Sequence, residues 1–253
     1  MVSDRLECFI GNTGSQRPPL NQVWFILMRI VPIILSVIVL SLFLSCKNET
    51  AKLSTNAANA NIKPGFSESD KRKIVAFGDS LTAGFGLLEN ESYPYLLQEK
   101  LKADGYDYEV LNAGVSGDTS AGGLERIDWS LGQKNVQILI LELGANDLLR
   151  GLSPAQMKDN LDKMIRKAKA KNVQVLLCGM LAPHSMGGDY QADYINAFHD
   201  LAEQHKVEFL QFILQDVATK AKLNQADGIH PNAEGEKIMT DNVYKALQPL
   251  LKK

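Results

Sequence analysis

Three side chains in this 253-residue chain, Ser80, Asp227 and His230, are of the types that acyl transfer requires. A serine hydroxyl is a weak nucleophile at neutral pH. It needs a base within hydrogen-bond reach, and that base needs an acid to hold its tautomer. Ser80 lies in Gly78-Asp-Ser-Leu81, directly after the apolar run Ile74-Val-Ala-Phe77, so a strand would deliver it onto a tight turn. Asp227-Gly-Ile-His230-Pro231 supplies a carboxylate and an imidazole three residues apart near the C-terminus. The tetrahedral intermediate of acyl transfer also needs donors aimed at its oxyanion. Candidates are the bare backbone N–H of Gly117, in Asn112-Ala-Gly-Val-Ser-Gly-Asp-Thr119, the side-chain amide of Asn146, in Gly144-Ala-Asn-Asp147, and the Ser80 amide. Asp79 and Asp147 read as braces for the two turns rather than as reacting groups.

These residues must be held by the elements around them. From Lys73 onward, apolar runs alternate with amphipathic stretches. Strands are expected at 73–78, 108–113, 136–143, 173–179 and 207–211; runs such as Val136-Gln-Ile-Leu-Ile-Leu-Glu-Leu143 suit strands buried on both faces of a parallel sheet. Helices are expected at 92–104, 119–133, 155–171 and 190–205, with a last one from an Asn232 cap to about 250. Pro154 suits a first helical turn and Asn172 a helix C-terminus. The alternation predicts a three-layer α/β/α sandwich with about five parallel strands. Ligands of such sheets bind beyond the carboxyl ends of the strands. Ser80, Gly117 and Asn146 follow the first three strands, and Asp227 and His230 fall in the long connection after the fifth.

Bulk composition gives no competing reading. The chain is 45% hydrophobic and 22% charged, with 27 basic against 29 acidic residues, so no charge excess points to nucleic acid. The lysines from Lys163 to Lys171 read as a solvated helix face. Cys8, Cys46 and Cys178 have no metal-like spacing and make no disulfide framework; Cys178, inside an apolar run, reads as core. Neither a metal nor a cofactor is expected. His184, His199 and His205 are expected at the surface, His184 lying nearest the functional edge.

Gly78-Asp-Ser-Leu81, Gly117, Gly144-Ala-Asn-Asp147 and Asp227-Gly-Ile-His230 resemble, in order, the motif blocks of the SGNH (GDSL-type) hydrolases. Within that superfamily, Phe77-Gly-Asp-Ser-Leu-Thr-Ala-Gly-Phe-Gly86, Ser116-Gly-Asp-Thr-Ser120 and Leu141-Glu-Leu-Gly-Ala-Asn-Asp-Leu-Leu-Arg-Gly151 are similar to the bacterial acyl-thioesterase, lysophospholipase and arylesterase group. The resemblance covers about 73–251. It implies a flavodoxin-like hydrolase domain in which Ser80, Gly117, Asn146 and His230 are the four family residues and Asp227 the triad acid. The expected activity is cleavage of short- or medium-chain esters, thioesters, aryl esters or lysophospholipids through an acyl-enzyme. In the resembling enzymes the loop after strand four helps line the acyl channel, so Leu148, Leu149, Met180, His184 and Met186 are expected along it. Other members remove acetyl groups from glycans, and a non-catalytic ligand-binding role on the same fold is the remaining alternative.

The N-terminal region stands apart from this domain. Ile30–Ser45 is almost wholly apolar, short for a bilayer span but suited to a signal-peptide core. Leu44-Ser-Cys46 resembles the lipobox of bacterial lipoproteins, with Phe43 where leucine is usual. The expectation is a leader over 1–45, with translation starting at Met28. A lipidated Cys46 and flexible tether over 46–70 then lead to a hydrolase domain over 71–253. The alternative is an uncleaved anchor over Val23–Ser45. Either arrangement puts the domain in the cell envelope, facing the periplasm or the exterior, with the membrane as its partner.

Overall fold

The computed structural model describes residues 70–253. The leader, Cys46 and nearly all of the tether lie outside the described residues. Five strands, β1 (Arg72–Gly78), β2 (Tyr108–Gly114), β3 (Val136–Glu142), β4 (Gln174–Cys178) and β5 (Glu208–Leu210), form one parallel sheet in the order β2-β1-β3-β4-β5. The chain winds to one side of β1 to place β2 and to the other to place β3 onward. The strand order therefore reverses at β1, and the crevice beyond its carboxyl end is where such sheets bind ligands.

Among the described residues, seven α-helices flank the sheet: α1 (Ser80–Ala83), α2 (Tyr93–Ala103), α3 (Ser120–Leu131), α4 (Ala145–Leu149), α5 (Pro154–Ala170), α6 (Gly188–His205) and α7 (Ala233–Leu247). The two faces of the sheet follow the period of two along each strand. Val75, Phe77, Leu139, Leu141, Val175 and Leu177 pack with Ile127 of α3, Leu161 and Ile165 of α5, and Phe198 and Leu201 of α6. Ile74, Ala76, Ile138, Ile140, Leu176 and Cys178 face the other way, against Leu97 and Leu101 of α2 and Met239, Val243 and Leu247 of α7. Because both faces are covered, the inner strands β1, β3 and β4 carry near-continuous apolar runs, and the three-layer sandwich expected from sequence is the fold observed. Cys178 lies in this second core layer, where burial pushes its thiol well above the ordinary range and leaves no reactive thiolate.

Local signals place the helix ends. The side chains of Thr119, Ser153 and Asn232 accept from backbone N–H groups in the first turns of α3, α5 and α7. Pro154 opens α5, and Asn172, just past its end, takes a left-handed φ of 59°. One expectation fails here. His205, expected at the surface, is only 9% exposed, with its Nε2 2.6 Å from Asp162 Oδ1. The last turn of α6 packs across α5, so a polar residue at a helix end is covered by its neighbour, which the sequence of α6 alone does not reveal.

Candidate active site

The site is assembled from chain segments that leave the carboxyl edge of the sheet. β1 ends at Gly78, and Asp79 caps α1 by accepting the Leu81 N–H on Oδ1 at 3.1 Å. Ser80 is thus the first residue of a four-residue helix that Gly84, at φ 72°, closes at once. Gly78 is required for space: a Cβ there would lie 2.1 Å from Thr82 Oγ1 and 2.3 Å from Glu142 Oε2.

The histidine arrives on the loop before α7. Asp227 Oδ1 accepts the backbone N–H groups of Ile229 (3.0 Å) and His230 (3.1 Å), and Gly228 turns the chain at φ 75°. Gln225 pins this loop to the segment after α1, donating from Nε2 to the Phe85 carbonyl at 2.7 Å and to the Pro231 carbonyl at 2.8 Å. The Phe85 ring lies 4.7 Å from the imidazole, centroid to centroid. His230 Nδ1 is then 2.7 Å from Asp227 Oδ2, and Nε2 is 2.9 Å from Ser80 Oγ. Asp227 is held down to about 2, chiefly by the hydrogen bond from the His230 ring and next by the two backbone N–H groups, so it is ionised at any working pH. The contacts therefore run in series from a carboxylate through an imidazole to a hydroxyl.

Asn146 sits in the first turn of α4, whose N-cap, Gly144, has φ 121°. A Cβ on Gly144 would press on Met157 and Phe198, so glycine alone lets α4 start this close to the core. The Asn146 amide donates to Asp79 Oδ2 at 3.1 Å, which leaves its second N–H available beside Ser80. Asp79 is fully buried, and burial pushes its carboxyl up to about 6 against the pull of its donors. Asp147 braces a neighbouring segment, accepting from the Ser120 N–H (2.7 Å) and hydroxyl (2.6 Å) at the start of α3. Gly117 occupies a turn at φ 86°, and its carbonyl accepts from Arg150 Nη2 at 2.7 Å. The N–H groups of Ser80 and Gly117 donate to no backbone carbonyl among the described residues.

A cavity of about 310 Å³ opens beside Ser80, Asn146 and His230. Leu148, Leu149 and Met180 line it, joined by Leu181, Phe212 and Leu214. His184 and Met186 do not: His184 is exposed, and Met186 packs against the core layer beneath α5 and α6. The short 3₁₀ turn His184–Met186 carries both residues away from the cavity, a direction that composition could not predict. Phe212, Leu214 and Thr219 come from the first half of the connection after β5, ahead of Asp227 and His230, and had no assigned role in the sequence. Arg126, also missed, donates from its guanidinium to the carbonyls of Gly78 (2.8 Å) and Ala113 (2.7 Å) and stacks 3.9 Å above the Phe77 ring, tying the ends of β1 and β2 together. Its signal is spatial, because Gly78 and Phe77 are remote in sequence, although its guanidinium also pairs with the nearer Asp118. No cluster of three or more His, Cys, Asp or Glu among the described residues is arranged to hold a metal.

Comparison with known proteins places this geometry in a family. Residues 76–238 match the GDSL-like lipase/acylhydrolase family. The chain is 40% identical over 178 residues to an esterase, TesA, of Pseudomonas aeruginosa, covering 70% of this chain and 89% of the relative. It is 35% identical over 178 residues to the Escherichia coli K12 protein named thioesterase 1/protease 1/lysophospholipase L1, covering 70% of this chain and 84% of that one. The crystal structure of TesA superposes with a TM-score of 0.69 at 39% identity, covering 71% of this chain and all of the other.

Proposed function

Since this chain belongs to the GDSL-like lipase/acylhydrolase family and is a serine ester hydrolase, we propose that Ser80, His230 and Asp227 perform its chemistry on single-chain acyl esters and thioesters. The observation that carries this reading is the pair of contacts at 2.9 and 2.7 Å joining Ser80 to His230 and His230 to Asp227. Ser80 Oγ attacks the acyl carbonyl while His230 Nε2 takes its proton, and Asp227 stabilises the resulting imidazolium. The carbonyl oxygen, now negative, is held by the Ser80 and Gly117 amides and by Asn146 Nδ2. Collapse of the tetrahedral intermediate breaks the bond to the leaving alcohol or thiol, which takes the proton back from His230. Water, deprotonated by His230, then attacks the acyl-enzyme; a second collapse releases the acid and restores Ser80 Oγ–H.

The cavity supports an acyl chain as the recognised part. Its lining is almost wholly apolar, and about 310 Å³ is at the small end of the ~300–1,000 Å³ typical of ligand sites, which favours one short or medium chain over two. Turnover of a p-nitrophenyl ester series from acetate to palmitate, beside Ser80→Ala and labelling by a fluorophosphonate, tests the assignment. Activity at medium chain length and labelling, both lost in Ser80→Ala, are expected. Activity confined to acetate would move the substrate to acetylated glycans, and an undiminished Ser80→Ala enzyme would remove Ser80 as nucleophile.

The same proposal extends to location. The apolar run Ile30–Ser45, the Leu44-Ser-Cys46 sequence and the polar stretch after it support a start at Met28, lipidation of Cys46 and a domain tethered outside the cytoplasm. Metabolic labelling with a palmitate analogue, lost in Cys46→Ala, is the expected result; unlabelled wild-type protein that still fractionates with membranes would favour the uncleaved anchor.

A further inference from the structure

Glu142 ends β3 directly beneath Ser80, and the mechanism above leaves it without a role. It is fully buried. Its Oε2 accepts from the Thr82 hydroxyl at 2.8 Å and from the backbone N–H of Asp79 at 3.3 Å. Its Oε1 is also buried and has no partner among the described residues. The carboxyl reaches these donors only because Gly78, its register partner on β1, has no Cβ to occupy the same space. Burial, reinforced by Asp79, pushes Glu142 well above the carboxylate range.

Such a group is a poor device for stability. A buried polar side chain with an unmatched oxygen costs more than an apolar side chain of the same size at the end of an apolar strand. What it does contact is informative. The Asp79 peptide that it holds leads directly into Ser80, and the Asp79 carboxylate holds both the Leu81 N–H and the Asn146 amide. Glu142, Asp79 and Asn146 thus form one line of hydrogen bonds from the base of the site to its oxyanion donors. The Thr82 hydroxyl, 3.2 Å from the Tyr93 hydroxyl, anchors the lower end of that line to α2.

We propose that Glu142 is a positioning residue of the oxyanion hole, acting through Asp79 to keep the Asn146 side chain aimed at the reacting carbonyl. The inference rests on the acyl-transfer reading above. A donor acts on the oxyanion mainly in the transition state, so loss of its aim lowers kcat and spares KM. Displacement of a catalytic group by even 1 Å can cost about a hundredfold.

The test is steady-state hydrolysis of a medium-chain p-nitrophenyl ester by the full chain and by Glu142→Leu, Glu142→Gln, Asn146→Ala and the Glu142→Leu/Asn146→Ala pair. Glu142→Leu is expected to lower kcat about tenfold or more with KM within about twofold, while Glu142→Gln, which keeps an acceptor oxygen in place, recovers most of the loss. Beside Asn146→Ala, the further cost of Glu142→Leu should shrink below about threefold, because both changes act on one donor. A Glu142→Leu enzyme at wild-type kcat, a loss that sits in KM, or a loss of equal size in both backgrounds would each overturn the proposal. If Glu142→Leu fails to fold by circular dichroism, Thr82→Val carries the test: kcat should fall about threefold or more in the wild-type background and stay level beside Asn146→Ala. Wild-type kcat in Thr82→Val overturns the proposal in the same way. A Ser80→Ala control separates the two readings: residual full activity there removes the nucleophile, whereas an inert Ser80→Ala beside an unaffected Glu142→Leu removes only the role of Glu142.

Discussion

Glu236, in the first turn of α7, should make this fold less stable as the pH rises through neutrality, and Glu236→Gln should remove its share of that dependence. The residue is 1% exposed, and one carboxyl oxygen accepts the Tyr93 backbone N–H at 2.8 Å. Burial pushes its carboxyl up to about 8, against an ordinary 4.5. Between those values the folded chain holds a proton that the unfolded chain releases, so stability declines as the pH rises from about 4.5 to about 8 and is level outside that window. At about 1.4 kcal/mol for each pH unit the ceiling is roughly 5 kcal/mol. Relaxation and water entry around a buried carboxyl bring the expected value to about 2–3 kcal/mol. Glutamine keeps an oxygen for the Tyr93 N–H and has no proton to lose. Thermal melts from pH 5 to pH 8.5 should therefore start together and separate, with the variant melting about 4–12 °C higher at the alkaline end. Glu142 adds a slope of its own to both proteins, and because Glu236 raises Glu142 slightly, the difference curve contains that repulsion as well. Parallel curves across the window, or a wild type more stable than the variant at pH 8, would refute the argument from burial.

Other outcomes follow from the site. Asn146→Ala should lower kcat by roughly 10²–10³ with little change in KM, read by steady-state kinetics, since the lost amide acts mainly on the transition state. Along a p-nitrophenyl ester series, kcat/KM should rise about fourfold per methylene, at ~0.8 kcal/mol each, until the cavity is full; a flat series would show that the acyl chain does not enter it. Gly78→Ala should abolish soluble folded protein rather than merely slow turnover, as circular dichroism would show, because its Cβ would fall within 2.6 Å of Thr82 and of both the side chain and backbone of Glu142.

The residues alone made legible the features that depend on local pattern. Continuous apolar runs marked strands buried on both faces, and Pro154 and the Asn232 cap marked helix starts. From that alternation came the parallel sheet, and from the sheet came the edge on which Ser80, Gly117, Asn146, Asp227 and His230 lie. Tertiary structure alone decided matters that turn on direction and on partners remote in the chain. Whether a loop side chain faces a cavity depends on a backbone turn, so Leu148, Leu149 and Met180 line it while His184 and Met186 turn away. Whether a polar side chain is covered depends on the element packed over it, so His205 is buried by α5 although its own helix gives no sign of it. Arg126, Glu142 and Gln225 gain their roles from carbonyls, amides and hydroxyls that other segments bring to them. A period of two or of 3.6 reports which face of an element is buried, but not what another element will place against it; that is settled only when the layers pack.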